Sequence, residues 1–266
     1  MNKTNNKKVI WITGASSGIG KGLVIEYFKQ NATLIVSARN EKALLDLRSE
    51  LNGNEQNFII APFDLARTET INELVARVFQ EVERVDILIN VGGQSQRSLA
   101  SETQMEVYRQ IMEVNFFGTV ALTNAVLPYM IKQGGGKIAA TSSIVGKFGF
   151  PLRSAYSAAK HALHGYLETV RAENVSNNIK VSVIIPGRIN TNISINSLTK
   201  EGNVYGKMDQ GQADGMSVEK AALSIYKGIE RNKNEILVGG KELLMVHFRR
   251  FLPFLAYKLA AKVKST

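Results

Sequence analysis

A doubly wound α/β fold, with a seven-stranded parallel sheet and helices on both faces, is what this sequence predicts, and three observations predict it. Apolar runs rich in β-branched residues alternate with stretches of helical periodicity. The first such run, Val9–Thr13, opens directly into the glycine-rich "TGASSGIG" at 13–20. At 266 residues with 44% hydrophobic content, the chain can enclose one large core.

The elements follow in order. Strands are expected at Val9–Thr13, Thr33–Ser37, Asn57–Pro62, Ile87–Val91, Gly136–Ser142, Lys180–Ile185 and Glu235–Val238. Between them, Gly18–Gln30, Glu41–Leu51, Thr68–Glu81, Met105–Lys132, Ser154–Asn174 and Ser217–Arg231 read as helices, mostly amphipathic. Residues 1–242 form one expected domain. It includes a polar, glycine-containing insertion at about 191–216, whose weak periodicity at Ile195–Gly215 suggests a mobile loop beside a ligand. Residues 243–266 form a basic amphipathic extension.

Composition removes several function classes. The chain has no cysteine, which excludes disulfides and thiolate zinc sites. Its three histidines form no metal-ligand spacing, His247 reads as a surface or packing residue, and no metal is expected. The apolar stretch near the N-terminus spans only Val9–Ile12, too short for a secretion signal or membrane span, so the start reads as cytoplasmic. The net charge of +10 would attract phosphorylated ligands, anionic lipid or nucleic acid. No basic-aromatic module or helix-turn-helix pattern accompanies it, so nucleic acid is not the expected partner.

The glycines of the first loop answer to its place in the fold. In a doubly wound sheet the loop leaving the first strand borders the ligand crevice, and the next helix points its N-terminus there. Gly14 permits a tight turn, Gly18 lets backbone approach a pyrophosphate, and Gly20 allows helix and strand to pack closely. The N–H groups of Ser16, Ser17 and Ile19 would then face phosphate. The spacing is Gly-x-x-x-Gly-x-Gly rather than the Gly-x-Gly-x-x-Gly of the common dinucleotide fingerprint.

"TGASSGIG", "LINVGG" at 88–93, "VNFFGT" at 114–119, "TSS" at 141–143, "YSAAK" at 156–160 and "PGRINT" at 186–191 occur in that order. Together they resemble the short-chain dehydrogenase/reductase family over about residues 8–240. That resemblance implies a Rossmann-type sheet and a nicotinamide dinucleotide cofactor. The family's usual Asn-Asn-Ala-Gly departs here to Ile89, Asn90, Val91 and Gly92, with Asn90 keeping its place and Val91 replacing the small alanine, and the resemblance implies that Asn90, Val91 and Gly92 lie against the cofactor.

Tyr156 and Lys160 stand four residues apart on an expected helix, which puts both on one face. A free tyrosine titrates near about 10 and acts as a base at neutral pH only where a cation stabilises its phenolate. Lys160 is the expected cation, and the pair would exchange a proton with a carbonyl or alcohol. Ser142 and Ser143 both end an expected strand, and the resemblance places the second of them in the role of holding substrate oxygen. It also implies that Asn115 perturbs its helix and binds a water leading to Lys160, and that Lys160 bonds the nicotinamide ribose. Pro186, Gly187, Ile189 and Thr191 would then wrap the nicotinamide, and Asp64 with Leu65 would contact adenine.

No acid ends the second strand to accept a ribose 2′-OH; Ser37 and Arg39 stand there, and a guanidinium suits a 2′-phosphate. NADP (NADPH) is therefore expected over NAD. Gln94, Phe148, Phe150, Pro151, Leu152 and Ile193 suggest an apolar substrate pocket without naming a substrate. The expected activity interconverts a carbonyl and an alcohol. The alternative is a non-enzymatic dinucleotide-binding protein that engages membrane or nucleic acid through its basic surface.

The resemblance implies a homo-oligomer pairing the helices that carry "NFFG" and "YSAAK", with Ala155, Ala159, Ala162 and Tyr166 on the shared face. The tail combines Leu243, Leu244, Val246, Phe248, Phe251, Leu252, Phe254, Leu255, Leu259 and Val263 with Arg249, Arg250, Lys258, Lys262 and Lys264. It is too charged to span a bilayer, and two readings stand. One is a helix pair lying on anionic lipid through 243–264; the other is an element docked on the substrate end or on another subunit.

Overall fold

Along the first strand Ile10 and Ile12 enter one core layer and Trp11 the other, and all three are fully enclosed. Enclosure on both faces is what a parallel strand acquires when crossover helices cover the two sides of its sheet. The computed structural model describes residues 7–260. Among these, β1 (Val9–Thr13), β2 (Thr33–Ser37), β3 (Phe58–Ile60), β4 (Ile87–Asn90), β5 (Gly136–Thr141), β6 (Ile179–Pro186) and β7 (Glu235–Val238) form one parallel sheet. Its strand order is β3-β2-β1-β4-β5-β6-β7.

The helices are α1 (Gly18–Lys29), α2 (Glu41–Glu50), α3 (Ile71–Glu81), α4 (Met105–Met112), α5 (Gly118–Lys132), α6 (Ser154–Glu173), α7 (Gln210–Ala213), α8 (Val218–Glu230), α9 (Leu244–Phe251) and α10 (Pro253–Ala260). Leu23, Leu44 and Ile225, from α1, α2 and α8, pack with Ile10 and Ile12 on one face. Leu74, Ile111, Val126 and Leu163, from α3 to α6, pack with Trp11 on the other. The doubly wound fold that the alternating pattern predicts is the observed one. Because the strand order reverses at β1 and β4, a crevice opens at their carboxyl ends.

Three local differences from the sequence expectation have physical causes. The third strand is shorter than 57–62 because it lies at the edge and pairs with β2 alone, Phe58–Ile60 against Leu34–Val36. The expected helix Met105–Lys132 is interrupted by a π turn at Glu113–Phe117. There the Asn115 side-chain Nδ2 donates to the Ile111 carbonyl at 2.8 Å, using an acceptor that the helix would otherwise use. This segment is long and apolar enough to cross a membrane. Its Ile111, Leu122, Val126 and Met130 are nevertheless fully enclosed in the core beneath the sheet.

The insertion at 191–216, which weak periodicity suggests is mobile, is pinned at its middle. Arg97 N donates to the Leu198 carbonyl at 2.8 Å and Leu198 N to the Ser95 carbonyl at 2.9 Å. Ser194, Ser197 and Leu198 are buried with them. Backbone pairing with 95–98 supplies the order that side-chain periodicity does not announce.

The two helices of the extension differ in burial. Leu243, Met245 and Val246 dock α9 on the core layer beneath the sheet. Phe254 and Tyr257 of α10 stay 81% and 59% exposed. Lys262, Val263 and Lys264 lie outside the described residues.

Candidate active site

A cavity of about 530 Å³ fills the crevice, and most of the residues expected to serve it line its wall. At one end the wall is backbone. Gly14 and Gly18 are left-handed at φ +63° and +51°, a conformation that glycine adopts without steric cost. A Cβ on Gly14 would lie 2.8 Å from Gly92 N, and one on Gly20 would lie 2.1 Å from the Gly14 carbonyl oxygen. The loop is therefore as tight as its glycines allow. Thr13 Oγ1 accepts from Val91 N at 3.0 Å and Gly92 N at 3.3 Å, tying the ends of β1 and β4 together. No side chain caps α1 at Ser17, so the first amides of that helix keep their donors for whatever enters the cavity.

Ser16, Ser17, Gly18, Ile19 and Gly20 line this end, joined by Ser37, Arg39, Asp64, Leu65, Val91 and Gly92. Trp11 Nε1 donates to Ser37 Oγ at 2.9 Å, which fixes the serine where β2 ends. Arg39 is exposed at the rim. Pro186, Gly187, Ile189 and Thr191 form the opposite wall. Asn90 does not reach the cavity, contrary to expectation. It is buried, and its Nδ2 donates to Thr123 Oγ1 at 3.2 Å, linking β4 to α5 instead.

At the centre stand Tyr156, Lys160 and Ser143. α6 presents Tyr156 and Lys160 on one face, as their four-residue spacing predicts, with Lys160 Nζ 5.5 Å from the tyrosine ring centroid. Nζ donates to the Thr141 carbonyl at 2.7 Å. Ser143 opens a 3-10 turn and lines the cavity, its Oγ accepting from Val145 N at 3.3 Å and donating to the Pro186 carbonyl at 3.5 Å. Ser142 is committed elsewhere, with Oγ donating to the Lys160 carbonyl at 3.1 Å and lying 2.9 Å from His164 Nε2.

Electrostatics at the centre differ from the sequence expectation. Lys160 does not draw the Tyr156 phenol toward neutrality. Burial pushes the phenol up to about 12, opposed by the Ser143 hydroxyl and the Arg97 and Arg153 guanidinium groups. Burial also lowers the Lys160 ammonium to about 7, because desolvation disfavours its charged form.

Asn115 lies behind the wall rather than on it. Its Oδ1 accepts from Gln94 N at 3.2 Å and its Nδ2 donates to the Gln94 carbonyl at 2.8 Å. The side-chain amide thus clamps the loop after β4. Gly93 separates it from Lys160: a Cβ there would lie 2.8 Å from Asn115 Oδ1 and 3.4 Å from Lys160 Nζ. In the expected substrate pocket Gln94, Phe150 and Ile193 line the cavity, whereas Phe148 is buried in the core with only 3% exposed.

Sequence reasoning missed four charged residues here. Arg97, Arg153 and Asp209 line the far end of the cavity, and no spacing in the sequence connects three loops. Glu242 accepts from Arg188 N at 2.8 Å and Gly240 N at 2.9 Å, bracing the turn after β6 from the start of the extension. Away from the cavity, His164, Glu168 and Glu235 bring ligand atoms within 4.8 Å of one another. Ser142 already engages His164, and Lys147 pairs with Glu235.

Comparison with known proteins agrees with this geometry. A family model described as short chain dehydrogenase matches residues 8–202. A Drosophila melanogaster protein, dehydrogenase/reductase SDR family protein 7-like, is 40% identical over 260 residues, covering 96% of this chain and 80% of that one. A short-chain dehydrogenase from Streptomyces avermitilis superposes with a TM-score of 0.83 at 29% identity, over 98% of this chain and 100% of the other. The fold is shared with a short chain dehydrogenase/reductase from Burkholderia phymatum in complex with NAD, at a TM-score of 0.82 and 19% identity, covering 98% and 96% of the two chains. A Burkholderia cenocepacia dehydrogenase in complex with NADP has 0.79 at 23%, covering 97% and 98%. With six motifs in order and matches that run through both halves of the sheet, the chain belongs to the short-chain dehydrogenase/reductase family of oxidoreductases.

Proposed function

We propose that this chain is an NADP(H)-dependent oxidoreductase that interconverts a carbonyl and a secondary alcohol. The observation that carries the reading is a buried phenol, Tyr156, held protonated through the neutral range beside Ser143 and Lys160 at the centre of the cavity. The glycine loop fits a dinucleotide, because Gly14, Gly18 and Gly20 leave room for nothing larger than backbone and α1 offers free amides. When bound, the nicotinamide supplies or accepts the hydride, which no side chain can do.

The chain's own residues do the rest. Ser143 and Tyr156 orient and polarise a carbonyl oxygen, and Tyr156 Oη gives it a proton as negative charge develops. A phenol near 12 is protonated at neutral pH and so is ready for that donation. Lys160, lowered to about 7 and with Nζ 5.5 Å from the ring centroid, is the group assigned to restore the phenol's proton. Asn115 acts by positioning the Gln94 backbone. A non-enzymatic dinucleotide-binding protein would have no need of this arrangement.

Arg39, exposed at the end of β2 with no carboxylate partner among the described residues, favours a 2′-phosphate and hence NADP. Thermal unfolding with NADPH, NADP, NADH and NAD tests this, since a ligand of the native state raises its stability. A larger rise with the phosphorylated pair is expected. A preference for NAD would overturn the cofactor choice, and no response to any of the four would overturn the enzymatic reading.

Homo-oligomerisation through α5 and α6 remains part of the proposal, with a corrected face. Ala155 and Ala159 are fully enclosed within the chain, so the face consists of exposed Phe117, Ala158 and Gly165 beside Ala162 and Tyr166. For the cytoplasmic enzyme, α10 with its exposed Phe254, Tyr257 and Lys258 is the segment suited to an anionic membrane surface.

A further inference from the structure

Two arginines and one carboxylate meet beyond Tyr156. The Arg97 and Arg153 side chains are 4% and 10% exposed, and both approach Oδ2 of Asp209, at 3.6 and 3.0 Å. Each is held at further points. Arg97 donates to Ser95 Oγ at 3.0 Å and to the Gln96 carbonyl at 2.9 Å. Arg153 donates to the Pro151 carbonyl at 3.1 Å and lies 4.9 Å over the Phe150 ring. Asp209 immediately precedes α7 but does not cap it; its carboxylate goes to the arginines. All three charged groups line the cavity.

The charges do not balance. One guanidinium would satisfy Asp209, and the second leaves a surplus positive charge where isolated charge is costly. Burial lowers both guanidinium groups, Arg153 to about 10, and in Arg153 the neighbouring Arg97 adds to the effect. The backbone also carries strain to hold this arrangement. Leu152, directly before Arg153, is left-handed at φ +62°, the only such residue among those described that is neither glycine nor asparagine. Its carbonyl accepts from Ser98 N at 3.2 Å, fastening the arginine loops together. Strain of this kind persists where the surroundings enforce it, and it gathers at ligand sites.

We propose that Arg97 and Arg153 seat an anionic group of the substrate, the oxygens of a carboxylate or phosphate, so that the carbonyl compound reduced at Tyr156 is negatively charged. Guanidinium forks match both groups geometrically. Asp209 is the arginines' counter-ion and shares them with the incoming anion. The inference rests on the Tyr156 reading and extends it to a substrate class.

The test compares kcat/KM with NADPH for 4-oxo-4-phenylbutanoate against its methyl ester, and for phenacyl phosphate against 2-hydroxyacetophenone. At least one anion is expected to exceed its neutral partner by about 100-fold, and the better of the two identifies carboxylate or phosphate as the seat's ligand. Equal efficiencies for charged and neutral partners overturn the seat and leave the Tyr156 reading standing. If none of the four ketones is turned over, calorimetric titration of the same compounds into the protein with NADP separates the two failures. Anion-selective binding upholds the seat and faults the Tyr156 reading, whereas binding without selectivity overturns the seat. Asp209→Asn is expected to tighten anion binding about 10-fold, and weaker or unaltered binding counts against the proposal. The double variant Arg153→Met with Asp209→Asn removes one charge of each sign, which protects folding, and leaves Arg97 alone in the seat, so its anion affinity is expected to fall about 10-fold below that of Asp209→Asn.

Discussion

The end of the cavity lined by Gly14, Gly18 and Gly20 is walled by backbone and by the space that missing side chains leave. The end lined by Arg97, Arg153 and Asp209 is walled by charged side chains carried on three separate loops. The first kind of surface is set by the conformation of one contiguous strand-turn-helix and tolerates little change in side-chain size. The second depends on how distant loops are packed and tolerates little change in charge. Tyr156 and Lys160 stand where the two meet. On the proposed reading, one fold keeps a constant cofactor seat while its substrate preference is rewritten.

Substitutions at the meeting point should have the largest effect. Tyr156→Phe is expected to lower kcat about 1,000-fold while preserving the cofactor-induced rise in melting temperature. Full retention of turnover would remove Tyr156 as proton donor. Next comes Gly20→Ala. Its Cβ would lie 2.1 Å from the Gly14 carbonyl oxygen, and the clash is expected to weaken NADPH binding about 100-fold, as measured by fluorescence titration. Undiminished affinity would show that the loop can relax and that space is not its limiting resource.

Arg39→Gln tests the one side chain expected to matter at the glycine end. NADPH affinity should fall about 10-fold and NADH affinity should hold, so the ratio of the two constants is the readout. Lys160 gives a smaller, pH-dependent signal. Its folded pKa, about 7, is below the ordinary lysine value, so the unfolded chain binds more protons between those limits. The penalty of burying the charge is present in full below about pH 7 and is relieved as pH rises toward 10. Wild-type protein should gain a few degrees of melting temperature across that window relative to Lys160→Met. Parallel curves for the two proteins would mean that Lys160 titrates normally. The smallest effect is expected for Ser16→Ala, within about twofold on NADPH binding, because the loop's backbone and not this hydroxyl is assigned the contact.

Much of this was readable from the chain. β1, its glycine loop and α1 are contiguous, so their contacts follow from local conformational rules and the spacing of Gly14, Gly18 and Gly20 announces them. The four-residue step from Tyr156 to Lys160 is equally local, since a helix places such pairs on one face. Asn90 and Phe148 show where such reading fails: each lies within two residues of the cavity wall, yet its side chain turns into the protein, to Thr123 and to the core respectively. Which way a side chain faces in a loop or at a strand end has no period to betray it.

By itself, then, the sequence determined the strand-helix alternation, the tight glycine turn and the helix face that Tyr156 and Lys160 share, because each depends on residues a few positions apart. The tertiary structure alone decided what is electrostatic and long-range. It set Tyr156 near 12 rather than near neutrality, because burial outweighs the neighbouring cations. It also brought Arg97, Arg153 and Asp209 to one place. Desolvation and charge pairing depend on the whole packed surroundings of a group, and those surroundings exist only once the chain has closed on itself.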